Sequence, residues 1–472
     1  MKKRRFILNV FTISASMLLV RIASTVTNIY ISRVAGASAM GTYHMIFSVF
    51  TFGITFASSG LGFAVTRLVA ENKYDEKTIV KKAVCISALM SLSAVVMFLC
   101  GSTFINKTFI RAKDGERAIN LLAVGLPCMG ISSVLRGYFI AKRKAFTVTV
   151  SALWEEGICI FATIITLKKL TGTELVYMSP IYGCLVSNIA AIGLDSICAV
   201  RCFSKRPVSK TKTGFKPLLR ICTPIALGSY LRTALVSSEN LLIPMQFAKY
   251  GTQNPVAEYG IIKGMAMVVV MFPTVFIQGF SSMLVPEMSE LNSINRKNGI
   301  RHVFGMAISA VMFFSVFIAL LLYCHHHIIS RALFKEQGVS GYLALLSLLA
   351  IPMYLDTVTD SVLKGLDLQN ACLKYNIIDS ILRVSSLIIF LPRYGPVFYI
   401  AMLYISEIFN LTLSLGKAFK ATGLKADWYC WVILPFLSAF SAFWFKNPII
   451  QTLIYVGMYY VGIKLYSKYD SI

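Results

Sequence analysis

Apolar runs of roughly 18 to 30 residues recur from one end of the chain to the other, separated by short polar stretches. An α-helix rises 1.5 Å per residue, so about 20 such residues cross a hydrocarbon core of roughly 30 Å. Fourteen runs meet that length, at about 6–31, 40–62, 83–104, 119–141, 150–167, 176–200, 218–247, 257–285, 302–324, 339–363, 373–391, 395–416, 427–445 and 447–465. They predict fourteen transmembrane helices. The first run is interrupted by Arg21, and Ser14, Arg21, Thr25, Asn28 and Ser32 follow one another at spacings of seven, four, three and four. That spacing puts them on one helix face, with Leu, Ile, Val and Met on the others. An arginine at mid-membrane costs at least about 2.5 to 3.5 kcal/mol, so this face is expected to line a wet cavity rather than meet lipid.

The pattern repeats half a chain later. In the seventh run Ser229, Arg232, Val236 and Glu239 fall three, four and three apart, and both runs lead into similar sequence, Met40-Gly-Thr-Tyr43 and Ala257-Glu-Tyr-Gly260. The fourth and tenth runs each carry a proline followed by Val-Leu-cation-Gly, at Val134-Leu-Arg136-Gly137 and Val362-Leu-Lys364-Gly365. Internal duplication of this kind is a signature of transporters built from structural repeats. The expected organisation is an N-terminal lobe over 1–200 (spans one to six), a basic linker over 201–217, a C-terminal lobe over 218–420 (spans seven to twelve), and a two-span appendix over 421–472. The charged stretch Arg67 to Lys82 is expected to hold a short amphipathic piece at the inner interface.

Composition agrees with a polytopic membrane protein: 56% of residues are hydrophobic, only 14% are charged, and the mean hydropathy is +0.70. A soluble domain carries about 25% charged residues. The net charge of +25 would suggest nucleic acid in a soluble protein, but its distribution gives a different reason. With the N-terminus inside, inner segments hold 30 Lys and Arg and outer segments 12, which predicts both termini in the cytoplasm. The first run follows Lys2-Lys-Arg-Arg5 but exceeds a signal-peptide core and lacks a small-residue cleavage site, so it is expected to be retained. Eleven scattered cysteines show neither paired spacing nor a disulfide framework and read as small packing residues.

Buried charge is where chemistry is expected. Guanidinium groups are always charged and suit bidentate contact with phosphate or carboxylate, so Arg21 and Arg232, with Asn28, Glu239 and Glu155, are candidate substrate-binding residues. The competing reading is an internal ion pair. Asp356 and Asp360 lie four apart on one face, unfavourable unless a cation or proton is shared, which makes a Na+ or H+ coupling site or a solvated rim. Asp379 and Arg383, also four apart, can pair on their own helix or take part in gating. The run His325-His-His327 has no ligand cluster around it and is expected to cap an outer helix end rather than bind metal. No phosphate-binding loop, HExxH or acidic pair in a sizeable aqueous loop is present, so neither an enzyme nor a cofactor is expected.

Four stretches resemble a known family: Arg21 to Tyr43 (RIASTVTNIYISRVAGASAMGTY), Ser59 to Glu71 (SGLGFAVTRLVAE), Leu135 to Lys142 (LRGYFIAK) and Phe280 to Glu290 (FSSMLVPEMSE). They are similar to the polysaccharide-export and stage V sporulation protein B branch of the multidrug, oligosaccharidyl-lipid and polysaccharide exporter superfamily. The resemblance implies an all-α fold with two pseudo-symmetric six-helix lobes around a central cationic cavity and two C-terminal helices. It also implies alternating access that moves a lipid-linked, pyrophosphate-bearing glycan across a bacterial plasma membrane, with a role in spore cortex formation. Related lipid II flippases carry further arginines after the position of Arg21, where Thr27 and Asn28 stand here. Two other readings remain open at this point, a cation-coupled multidrug exporter with Asp356 or Asp360 as coupling acid, and a non-transporting scaffold for cell-wall assembly.

Overall fold

A helix of 57 residues at 1.5 Å per residue would run about 85 Å, almost three hydrocarbon thicknesses, so the first helix, α1 (Lys2–Ser58), has to break within the membrane protein's span. It does so at Gly36, whose φ of 82° and ψ of 173° are open only to glycine. The computed structural model describes residues 2–58, 60–71, 74–203, 215–336 and 338–469, with side chains from 18 to 466 except 145. Ser14, the basic N-terminus and most of the 201–217 linker therefore lie outside the described side chains.

After α1 come α2 (Leu61–Ala70), α3 (Glu76–Ile105), α4 (Gly115–Ala141), α5 (Ala145–Leu170), α6 (Ser179–Cys202) and α7 (Lys216–Tyr250). The chain continues with α8 (Pro255–Tyr259), α9 (Met267–Met271), α10 (Thr274–Ser293), α11 (Lys297–Leu333), α12 (Val339–Ser347) and α13 (Ala350–Gly365). It ends with α14 (Gln369–Thr422), α15 (Leu434–Phe443) and α16 (Pro448–Tyr469). The 54-residue α14 repeats the device of α1, breaking at Gly395 with φ 63° and ψ −154°. Two further spans are bent pairs, 54° between Pro255–Met271 and Thr274–Ser293, and 52° between Val339–Ser347 and Ala350–Gly365. Counting both halves of α1 and α14, each bent pair once, and α3 to α7, α11, α15 and α16 singly gives fourteen helical segments among the described residues, in register with the fourteen apolar runs. The protein is an all-α multi-pass membrane protein.

Within the charged stretch 67–82, α2 ends at Ala70 and α3 begins at Glu76. Leu61, Val65, Leu68 and Val69 of α2 are buried against Ile79, Val80 and Ala83 of α3 and Val134, Tyr138 and Phe139 of α4. Arg67 is exposed and pairs with Glu71 at 3.1 Å, so the short helix is amphipathic, as the stretch predicts. Asp75 caps α3, its carboxylate accepting from the Thr78 N–H at 2.9 Å and hydroxyl at 2.7 Å.

The helices form two compact units, 1–260 and 261–472. In the first, α7 packs antiparallel along the second half of α1: the Tyr230 hydroxyl donates to the Phe56 carbonyl at 3.1 Å, Ser237 to the Ser48 carbonyl at 2.8 Å, and Asn240 to the Ser48 hydroxyl at 3.0 Å. The repeat boundary read in the sequence and the packing boundary thus fall at different places, since α7 opens the second repeat yet packs within the first unit. The two similar stretches after spans one and seven also meet. A Cβ on Gly260 would stand 1.9 Å from the Ala37 carbonyl oxygen, and one on Gly41 2.1 Å from that of Val256. In the second unit α16 packs on α11, where the Tyr455 hydroxyl donates to the Phe313 carbonyl at 2.8 Å.

Candidate functional site

Each unit is held at one helix end by the same joint. In the first, the Thr66 hydroxyl of α2 donates to the Gly137 carbonyl of α4 at 2.9 Å. In the second, the Ser289 hydroxyl of α10 donates to the Gly365 carbonyl of α13 at 3.1 Å. Both acceptors are the glycines of the repeated Val-Leu-cation-Gly, where a helix backbone comes too close for a side chain. The cation before each glycine is thereby fixed at the same place in its bundle.

In the first unit that cation is Arg136, and it is taken up twice. Its guanidinium pairs with Glu155 of α5 and, at 3.3 Å, with Asp195 of α6. Asp195 is fully buried and its other oxygen accepts from the Ser151 hydroxyl at 2.5 Å. The neighbouring Glu156 accepts from the Ser24 hydroxyl of α1 at 2.5 Å, which ties the polar face of α1 to α5. Ser24 lies one turn from Arg21 and one turn from Asn28. Arg21 is exposed and makes no ion pair with a described residue; Asn28 is half-buried and its amide oxygen has no hydrogen-bond partner among the described residues. A guanidinium without an internal carboxylate can accept an anion from outside.

On α7, Tyr230, Thr233, Ser237 and Asn240 form the stripe that meets α1. Ser229, Arg232, Val236 and Glu239 are each one residue earlier, about 100° around the helix. Arg232 is exposed and, like Arg21, makes no ion pair with a described residue, whereas Glu239 is buried. The two arginines, expected one in each half of the chain, therefore both belong to the first compact unit.

The second unit gathers acids. Asp356 and Asp360 on α13 face the second half of α14, where Asn410 donates its amide N–H to Asp356 at 3.1 Å and Ser414 lies beside the same carboxylate. Lys364, half exposed, is 3.8 Å from Asp360. Asp379 pairs with Arg383 at 3.3 Å and accepts from the Ser406 hydroxyl at 2.5 Å. Asp379 and Glu407 are both within electrostatic reach of Asp356. The second oxygens of Asp356 and Asp360 and the amide oxygen of Asn410 are buried without a hydrogen bond among the described residues. Three buried oxygen acceptors facing an excess of carboxylates make an arrangement that a cation or protons would satisfy.

Asp195, Arg136, Asn410, Ser406 and Ser414 were not singled out as site residues in the sequence. A signal existed for some of them: Asp195 is the one acid in the sixth apolar run, and Ser406, Asn410 and Ser414 recur every four residues in the twelfth. The triple histidine packs instead of clustering with acids: His325 Nε2 is 2.9 Å from the Gln451 amide oxygen, and His326 and His327 both reach the Ser340 hydroxyl.

Residues 6–245, just over half of the chain, match the polysaccharide biosynthesis protein family. The chain belongs to that family. It is 20% identical to Stage V sporulation protein B of Bacillus subtilis (strain 168) over 409 residues, covering 83% of this chain and 79% of that protein. Sporulation protein YkvU of the same organism is 21% identical over 312 residues, 62% of this chain and 67% of that protein. In structure the chain is similar to the lipid II flippase MurJ in its inward closed conformation, with a TM-score of 0.71 at 13% identity, covering 98% of this chain and 99% of that one. It is also similar to an inward-facing multidrug resistance MATE family transporter of the MOP superfamily, with a TM-score of 0.68 at 14% identity and coverage of 88% and 100%. At such identities the likeness is one of fold.

Proposed function

We propose that this member of the polysaccharide biosynthesis protein family moves a lipid-linked glycan bearing a phosphate or pyrophosphate across a bacterial cell membrane by alternating access. The observation that carries the reading is the contrast within one unit: Arg136 is neutralised by two carboxylates while Arg21, one turn from the Ser24 bridge, has no carboxylate partner among the described residues. An unpaired guanidinium in an apolar helix is retained at a cost of several kcal/mol only where it meets water or an anion. In this reading Arg21 and Arg232 receive the phosphate, Asn28 supplies an amide to the headgroup, and the lipid tail stays in the bilayer. The fold shared with a lipid II flippase supports a lipid-linked cell-wall precursor as substrate, and the distribution of Lys and Arg supports a cell membrane location with both termini inside.

The acids of the second unit serve as the coupling site. Asp356 and Asp360, with Asn410 and Ser414, hold Na+ or protons, and Asp379 with Arg383 braces the two halves of α14. No cofactor and no nucleic acid takes part.

The test is transport by the reconstituted full chain. Proteoliposomes loaded with a fluorescent undecaprenyl-pyrophosphate disaccharide report headgroup exposure by its accessibility to an impermeant quencher. Arg21→Ala and Arg232→Ala are expected to lower the initial rate at least tenfold with unchanged unfolding temperature. Rates equal to the parent in both variants overturn the assignment.

A further inference from the structure

The second unit contains a cleft that the transport reading leaves unused, about 970 Å³ in volume, at the end of the bundle where α10 and α11 meet the segment before α15. Its walls are of two kinds. Phe280, Met283, Met306 and Trp431 make an apolar trough, and Glu287, Arg301, His302, Lys425 and Asp427 stand at one end of it. The polar end lies at headgroup depth, because Arg301 stands in the first turns of α11 and Lys425 in the loop after α14, both at cation-rich helix ends, and the adjoining Trp428, exposed over 68% of its surface, is an interfacial anchor. Arg301 is held in place by its Nε, which donates to the Thr422 carbonyl at 3.1 Å, so its terminal nitrogens are aimed by the fold. Asp427 is held likewise, one oxygen accepting from the Cys430 N–H at 3.1 Å.

We infer that this cleft binds a zwitterionic phospholipid of the ethanolamine class, acyl chain in the trough and headgroup between the charges. The commitment rests on charge complementarity. Two cations, Arg301 held by the fold and Lys425 exposed beside it, suit the phosphate, and two carboxylates, Glu287 and Asp427, suit an ammonium group. An anionic phospholipid such as phosphatidylglycerol would satisfy the cations and be repelled by the carboxylates. An empty cleft would leave an apolar trough that only mobile acyl chains cover. The volume is at the upper end of the roughly 300 to 1,000 Å³ usual for a small-molecule site. The inference is independent of the transport proposal, since none of its residues is assigned to substrate or coupling.

The experiment uses the full chain in nanodiscs of equal parts phosphatidylethanolamine and phosphatidylglycerol, with lipids retained after detergent extraction quantified by native mass spectrometry. Retained ethanolamine lipid is expected to exceed phosphatidylglycerol at least threefold. The pair Glu287→Gln and Asp427→Asn should invert that ratio, whereas Lys425→Gln, an exposed position that leaves the Arg301 bond intact, should lower retention of both lipids at least twofold. Filling the trough by Ala310→Trp should displace the lipid and bring the ratio of the two lipids to one. Equal retention of the two lipids by the parent protein, or a ratio unmoved by removing the carboxylates, overturns the inference.

Discussion

The two units share a joint and differ in what they do with it. Thr66 to Gly137 and Ser289 to Gly365 are the same contact made twice, and each places a cation at the next position. In the first unit Arg136 reaches two carboxylates and the local polar groups satisfy one another. In the second, Lys364 remains half exposed and only grazes Asp360, and Asp356 and Asp360 of α13 each keep a buried oxygen without a hydrogen bond among the described residues. Duplication preserved the backbone contact, which only glycine allows, and left the charge free to diverge. One node became a structural brace and the other an open acid cluster.

Removing one partner from each node separates brace from cluster most sharply. Asp195→Ala should destabilise the protein by about 3 to 5 kcal/mol, because it removes a fully buried carboxylate that holds both Arg136 and the Ser151 hydroxyl. Thermal unfolding in mild detergent reads this, and a shift within error would remove the brace. Asp356→Asn should instead leave unfolding unchanged to within about 1 kcal/mol, since the carboxylate it neutralises faces other carboxylates. The same variant should abolish dependence of transport on a Na+ or pH gradient, and a gradient dependence equal to the parent's would place coupling elsewhere.

A smaller effect tests the frame that both nodes hang on. Asp75→Ala deletes the cap of α3 and should cost about 1 kcal/mol. The Thr78 hydroxyl and N–H hold the Asp75 carboxyl below its ordinary range, so its folded pKa is depressed. Its contribution is present above the unfolded carboxyl value near 3.9 and is lost as pH falls through the lower folded value. Because the cap is largely exposed, the pH-dependent part is a fraction of the total. Unfolding curves of parent and variant should converge as the pH falls through the depressed Asp75 value; a gap that persists in acid would mean the cap acts through packing.

Much of the fold was legible because the bilayer imposes a length and a polarity on every span. The fourteen apolar runs match fourteen segments, and the Val-Leu-cation-Gly repeat marks a true repeated joint. The site was legible in part. Asp379 with Arg383, at helical spacing, could be paired from sequence, because a local contact depends on the periodicity of one helix. In the charged stretch 67–82, the burial of Leu68, Val69, Ile79 and Val80 depends on α2, α3 and α4 packing together, which the charges around them do not reveal.

What the sequence by itself determined is where the chain crosses the membrane, and that arginines, Arg21 and Arg232 among them, sit inside some of the crossings; hydropathy is a property of consecutive residues. Only the tertiary structure decided which arginine is spent. Arg136, Glu155 and Asp195 come from three helices and Arg21 from a fourth, so the difference between a neutralised cation and an available one lies in distances between helices. The same holds for the placement of Arg21 and Arg232 in one compact unit, which follows from α7 packing along α1 rather than from the order of the repeats.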